Sequence, residues 1–294
     1  MKSSLGSCLI CQGDLIEEAK SNNYFYFKCQ HCFTSQIIPQ PSSALLLDYY
    51  NRFHLNDLEG GFYDWVEDRM QADFATKIRI IRKFVNNENI LLLDVGCGKG
   101  FFVKEAIKNG FDAMGIDISN SGIDYGKRIL KVKSELKSIE ELAVDSSYNE
   151  KFDCITLWAT IEHVSNPLSF LNAINKCLKK NGFIFLDTGL GNDFYERFLT
   201  GHSQWYDALQ HLFVYSEEGL KILLKNSGFE YLYIDKNFER NSLRKVIRYL
   251  RHSFLCLSSF LLLRPFLGRT AFKAMKLESK WPIGKLVHIV ARKV

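Results

Sequence analysis

The sequence predicts an α/β protein: a mostly parallel sheet with helices on both faces, preceded by a small metal-held ribbon. Three observations carry this. Between Ile90 and Asp117 a buried-type strand, a glycine turn, a helix, a second strand and a terminal acid follow one another. Apolar strand runs keep alternating with amphipathic helix patterns as far as residue 234. Four of the eight cysteines fall in the first 32 residues as two Cys-x-x-Cys pairs. Alternating β and α patterns argue for a doubly wound sheet.

The cysteines come first in chain order. Cys8, Cys11, Cys29 and Cys32 form two pairs separated by seventeen residues, within the spacing of structural zinc sites. Each pair can sit on a tight turn, and two turns close a tetrahedral four-sulfur shell around Zn2+ with no open position. His31 lies inside the second pair and is read as a bystander. Tyr24 to Phe27 reads as a strand leading into that pair. The competing reading is four unpaired thiols that pack or sense redox state. Residues 1–40 are thus assigned to a zinc ribbon and residues 41–88, with Tyr49 and Tyr50, to a helical lid segment. No secretory pattern is visible, so a reducing cytoplasm is expected.

Ile90 to Leu93 is a short continuous apolar run, as in a central parallel strand. Asp94-Val95-Gly96-Cys97-Gly98-Lys99-Gly100 follows, then a helix over Phe101 to Asn109 stopped by Gly110. Asp112 to Asp117 is the next strand, ending in an acid. The turn is not the dinucleotide fingerprint, because Gly96-x-Gly98-x-x lands on the bulky Phe101. A P-loop is absent as well.

An acid followed by Gly96-x-Gly98-x-Gly100, with Asp117 ending the second strand, resembles the first motif of class I S-adenosylmethionine-dependent methyltransferases. The resemblance covers about residues 90–240 and the last ten. It implies a Rossmann-like seven-stranded sheet. Lys151 to Trp158 would be strand four, Pro167 to Lys180 a helix, Phe183 to Leu186 strand five and Leu286 to Ala291 the last strand. It also implies S-adenosylmethionine as cofactor, held by Asp94, Gly96, Gly98, Gly100, Asp117, Ile118, Ile139, Glu140 and Trp158. The core is placed at 89–240 and 285–294.

Ligands of such sheets lie beyond the carboxyl ends of the strands, which brings Glu162 and His163 near the methyl donor. Methyl transfer from a sulfonium needs an aligned nucleophile, and a base when the acceptor is a hydroxyl. His163 has a suitable ordinary pKa and is the candidate base; a loop-bracing Glu-His pair is the alternative. His211 resembles a substrate-side histidine of a zinc-ribbon subgroup that includes sugar C-methyltransferases. Those enzymes carry an acid before it, where this chain has Gln210, so an oxygen acceptor on a small molecule, sugar or lipid-linked glycan is expected instead. Gly191 to Gln210, with Phe194, Tyr195, Trp205 and Tyr206, is a candidate aromatic cover.

The net charge of +5 hides a split: from Lys236 onward fourteen Lys/Arg face two acids, leaving the first 235 residues at −7. Residues 241–284 form a basic, apolar-rich insertion before the last strand. Arg240, Arg244, Lys245, Arg248 and Arg251 share a helical face, and Phe254 to Leu263 is too short to span a bilayer. Contact of 241–275 with the inner face of the membrane is one reading, packing on the domain or a homodimer the second, and nucleic acid the third. The RNA methyltransferase alternative, with the ribbon as nucleic-acid grip, is weakened by few ribbon basics (Lys2, Lys20, Lys28). A non-catalytic binding module of the same fold is the last alternative, and the intact acids and glycines argue against it.

Overall fold

The computed structural model describes residues 6–21, 23–56, 67–191, 205–235 and 286–294. The basic insertion expected at 241–284, and Phe194 and Tyr195 of the aromatic cover, lie outside the described residues.

Two sheets organise the chain. The first is built from β1 (Leu15–Ser21), β2 (Tyr24–Cys29) and β3 (Ser35–Ile38), which pair antiparallel in that order. Its fourth strand comes from far along the chain: β9 (Phe213–Val214) pairs with β3, Gln36 opposite Phe213 and Ser35 opposite Val214. Two helices follow the ribbon strands, α1 (Ser43–Asn56) and α2 (Glu67–Phe84).

The second sheet has seven strands, as the resemblance implied. In chain order its elements are β4 (Leu91–Val95), α3 (Phe101–Lys108), β5 (Asp112–Asp117), α4 (Asn120–Tyr125), β6 (Ser134–Leu136), α5 (Ile139–Val144), β7 (Phe152–Trp158), α6 (Pro167–Cys177) and β8 (Leu178–Thr188). After β9 come α7 (Glu217–Asn226), β10 (Phe229–Asp235) and β11 (Val287–Lys293). The strand order is β10-β11-β8-β7-β4-β5-β6, and β11 alone runs against its neighbours. Successive side chains of a strand face opposite ways, so Leu92 joins the layer of Ile81, Phe102 and Val103 while Leu93 joins that of Leu157, Leu171 and Ile174. Both faces of the sheet are thereby covered.

Local chemistry sets the ends of the helices. Gly110 takes φ +81°, a left-handed conformation that lets α3 stop where the glycine predicts. Ser138 caps α5 in a reciprocal box with Glu141, and Ser216 caps α7 by accepting from Gly219 N at 2.8 Å. One helix ends earlier than expected. The sequence predicts Pro167–Lys180, but α6 stops at Cys177 because Leu178 turns extended and pairs with Phe152. Asn181 at φ +60° then carries the chain into the rest of β8.

Candidate active site

Register decides which side chains meet at the carboxyl end of the sheet. Asp94 stands opposite Thr156 across β4 and β7, and Thr156 Oγ1 donates to Asp94 Oδ1 at 2.7 Å. Asp94 is fully buried, and that burial, opposed by the Thr156 hydrogen bond and Lys77, pushes its carboxyl up to about 7. The chain then turns through Gly96, Gly98 and Gly100, with φ of +74°, +52° and +82°. A Cβ at Gly96 would sit 2.7 Å from Thr160 side-chain atoms, so shape as well as torsion requires glycine there.

Asp117 ends β5 and binds this turn: Oδ2 accepts from Gly98 N at 2.8 Å and Oδ1 from Ser119 N at 2.7 Å. Ile118 beside it is 45% exposed, an apolar surface at the rim, whereas Ile139 at the start of α5 is buried and Glu140 half-buried. Helix α1 closes over the same loop. Asn51 Oδ1 accepts from Ser119 Oγ at 3.3 Å and Asn120 N at 3.1 Å, and Ser121 Oγ donates to the Asn51 carbonyl at 3.1 Å. The sequence reading passed over Asn51, for an isolated asparagine within a helix carries no local signal.

Trp158 ends β7 opposite Asp187 of β8, which in turn faces His288 of β11. The Lys77 ammonium of α2 reaches into this row, 3.0 Å from Asp187 Oδ2 and 4.5 Å above the Trp158 ring. Asp187 Oδ1 accepts from Ala159 N at 2.5 Å, so one buried carboxylate holds both α2 and the turn after β7. Ala159 itself sits at φ +49°.

That turn leads to a short 3₁₀ segment, Ile161–His163. His163 Nδ1 hydrogen-bonds the Gln210 carbonyl, and since a carbonyl only accepts, Nδ1 carries the proton and Nε2 the lone pair. Burial lowers its pKa to about 4, so the ring is neutral near pH 7. Nε2 lies 3.9 Å from Glu162 Oε1. The Glu162 carboxyl, 2% exposed, is pushed up to about 8, chiefly by burial. The Thr188 hydroxyl is nearby, and neither it nor the Glu162 carboxyl has a hydrogen-bond partner. The His211 ring is centred 5.1 Å from that of His163 and 5.1 Å from the indole of Trp205. Tyr50 of α1 completes the wall, its ring 5.8 Å from His163.

The segment bearing His211 is held from two sides. Leu212 N donates to the Glu162 carbonyl at 2.8 Å, and the buried Tyr26 hydroxyl of β2 donates to the His211 carbonyl at 2.5 Å. Ser216 Oγ donates to the Cys32 carbonyl and Ile37 N to the Leu212 carbonyl. Gln210 contributes its backbone carbonyl to His163.

The ribbon cysteines also converge. Cys8 and Cys32 sulfurs are 3.7 Å apart and those of Cys11 and Cys29 3.4 Å, all four within 4.8 Å of one another. Tetrahedral sulfurs around zinc at ~2.3 Å stand about 3.8 Å apart, close to this spacing. Backbone N–H groups of Ile10, His31 and Cys32 point at the Cys8 and Cys29 sulfurs, as thiolate ligands require.

The methyltransferase domain family model matches residues 67–234, more than half of the chain. The chain belongs to the methyltransferase domain family. Two curated relatives are named ubiquinone biosynthesis O-methyltransferase. The Hydrogenovibrio crunogenus protein is 32% identical over 117 residues, 38% of this chain and 48% of the relative. The Pelagibacter ubique protein is 34% identical over 126 residues, 42% of this chain and 50% of the relative. The chain therefore spans about half the length of these relatives. Among solved structures, a SAM-dependent methyltransferase from Archaeoglobus fulgidus superposes with TM-score 0.52 at 19% identity, covering 79% of this chain and all of that one. The 1,6-didemethyltoxoflavin-N1-methyltransferase of Burkholderia thailandensis superposes with TM-score 0.55 at 12% identity, covering 95% and 99%. At such identities these two show the shared fold.

Proposed function

We propose that this family member is an S-adenosylmethionine-dependent methyltransferase that methylates an oxygen of a small-molecule, sugar or lipid-linked glycan acceptor. The observation that carries this reading is the placement of two half-sites at one end of the sheet. The glycine turn with Asp117 lies at the ends of β4 and β5, and the His163–His211 pair lies just past β7. The O-methyltransferase relatives support oxygen as the acceptor atom.

The donor-side residues suit a phosphate-free ligand. Asp117 would accept the ribose hydroxyls, Asp94 would meet the ammonium of the methionine end, and Gly96, Gly98 and Gly100 allow close backbone approach. Ile118, Ile139 and Glu140 would flank the adenine, and Trp158 the methionine side. When bound, S-adenosylmethionine supplies a methyl group on a positively charged sulfur. His163 Nε2, its lone pair fixed by the Gln210 carbonyl, takes the acceptor's hydroxyl proton as the oxygen–carbon bond forms and the carbon–sulfur bond breaks. His211 and Trp205 line the acceptor side and orient it.

Cys8, Cys11, Cys29 and Cys32 would hold a structural Zn2+ that does no chemistry, since four sulfurs leave no open position. We retain the assignment of 1–40 to the ribbon, 41–88 to the lid, 89–240 and 285–294 to the core and 241–284 to the insertion. Lipid contact through 241–275 is supported by the spacing of its basic residues in the sequence, and no described helix is long and apolar enough to cross a membrane.

The test pairs calorimetry with turnover. S-adenosylmethionine should bind, and His163→Ala should lower methyl transfer to a panel of hydroxylated acceptors much more than donor affinity. Absence of donor binding overturns the enzyme reading, and equal losses in both quantities remove His163 as base.

A further inference from the structure

Glu162 presents a physical problem that methyl transfer does not solve. Both of its carboxylate oxygens are buried and neither has a hydrogen-bond partner. A buried carboxylate in that condition is costly unless a cation meets it. Among the described residues, its one ion-pair partner within 4 Å is His163, at 3.9 Å. Of the two buried lysines at this end of the sheet, Lys77 is taken by Asp187 and Asp73, and Lys99 lies 5.0 Å over the Tyr125 ring. The Thr188 hydroxyl nearby is likewise without a partner.

Around this carboxylate stand two imidazoles. One ligand atom each from Glu162, His163 and His211 lie within 4.8 Å of one another. They come from two distant segments, joined by the Leu212 N to Glu162 carbonyl bond and held from behind by Tyr26. His163 has the arrangement of a metal-binding histidine: Nδ1 bonded to a backbone carbonyl, Nε2 turned toward the carboxylate. We propose that Glu162, His163 and His211 form a binding site for one divalent transition-metal ion, separate from the ribbon sulfurs.

The donor set selects the class of ion. Two imidazoles and one carboxylate suit Zn2+, Mn2+, Fe2+ or Co2+, whereas Mg2+ and Ca2+ prefer all-oxygen shells. Bonds of ~2.1 Å place neighbouring ligand atoms about 3.0–3.5 Å apart. The 3.9 Å separation of Glu162 and His163 therefore closes by about half an ångström to one ångström, within reach of a side-chain rotation. Three protein ligands leave coordination positions open. On the methyl-transfer reading an open position would take the acceptor oxygen and lower its pKa so that the hydroxyl proton leaves to solvent. In the metal-bound form His163 Nε2 is then a ligand, and the ion replaces the free imidazole as the group that ionises the acceptor. That use rests on the proposed function; the site itself rests on the geometry of the three side chains.

The full chain, with the ribbon metal left in place, is titrated with Co2+ and Mn2+. Co2+ bound here shows visible ligand-field bands without the near-ultraviolet thiolate band that marks sulfur ligation. One equivalent should bind to the wild type, tenfold or more weaker in Glu162→Gln and in His211→Gln, and undiminished in Cys11→Ser. Glu162→Gln keeps the volume and removes the ionisable group a cation would need, so its fold is expected to persist, with circular dichroism as the check. His211→Gln reads the site independently if the first variant is misfolded. No binding by the wild type, thiolate bands only, or unchanged affinity in both variants overturns the proposal. Calorimetry of S-adenosylmethionine on the same samples keeps the two readings apart. Donor binding without Co2+ binding removes the metal site alone, and Co2+ binding without donor binding removes the methyl-transfer reading alone.

Discussion

Replacing Lys77 by Met should unseat α2 from the sheet. The ammonium lies 3.0 Å from Asp187 Oδ2, with the lysine side chain 5% exposed and the aspartate not exposed at all. At an effective dielectric of 20 and this distance the attraction is about 5–6 kcal/mol, much of it offset by the cost of burying both charges. Met restores the volume but leaves Asp187 charged, buried and without its cation. Losing one partner of such a pair costs about 3–5 kcal/mol. For a domain of this size that lowers Tm by roughly 6–20 °C. Asp187→Asn in the Lys77→Met background should recover most of the loss, because the amide oxygen still accepts from Ala159 N, 2.5 Å away in the wild type. The assay is urea unfolding of the two single variants and the double variant, read by circular dichroism as a double-mutant cycle. A loss under ~1 kcal/mol for Lys77→Met, or losses that simply add in the double variant, would refute the reasoning.

Three further outcomes are expected. Asp94, raised to about 7 chiefly by burial, stabilises the donor-free fold fully below the ordinary carboxylate pKa, and this is lost as pH rises through 7. On the proposed donor placement the ammonium meets Asp94 and favours the ionised carboxyl, so donor affinity should weaken about tenfold per pH unit below 7, with proton release in calorimetry; Asp94→Asn should flatten that slope. Gly189→Ala would set a Cβ 2.2–2.4 Å from the Trp205 ring, which costs ~1–3 kcal/mol and tilts the indole against His211, so acceptor KM should rise while donor Kd stays. On the proposal that the four ribbon cysteines hold zinc, Cys11→Ser should release the metal, lower Tm and reduce turnover more than donor affinity, as measured by metal analysis beside kinetics.

The legible parts of this chain were those encoded over a few neighbouring residues. The apolar run before Asp94, the three glycines, the Gly110 stop, the strand-ending Asp117 and the cysteine spacing all act locally, and the structure has the matching elements. The missed parts were set by register and long-range pairing. Lys77 meets Asp187 across more than a hundred residues, although an acid ending the fifth parallel strand was a visible signal. Residues 213–214 are too few to announce a strand, and only β3 makes them one. Cys177 gives no sign of ending a helix, since Leu178 leaves it to pair with Phe152. Glu162 and His163 were visible as a dipeptide, but the missing partner of the carboxylate was not.

The pairing of β3 with β9 bears on how this protein can be cut and recombined. The ribbon supplies part of the wall behind His211, through Tyr26, Ile37 and Cys32. It is therefore not a portable module. A truncation after residue 40, or a graft onto a ribbon-free relative, severs the backing of the His211 segment, the proposed acceptor side, while leaving the proposed donor side whole. Such hybrids should hold the donor and have nothing aligned to methylate, whereas exchanges that carry the ribbon and residues 205–216 together move the acceptor wall as one inherited piece.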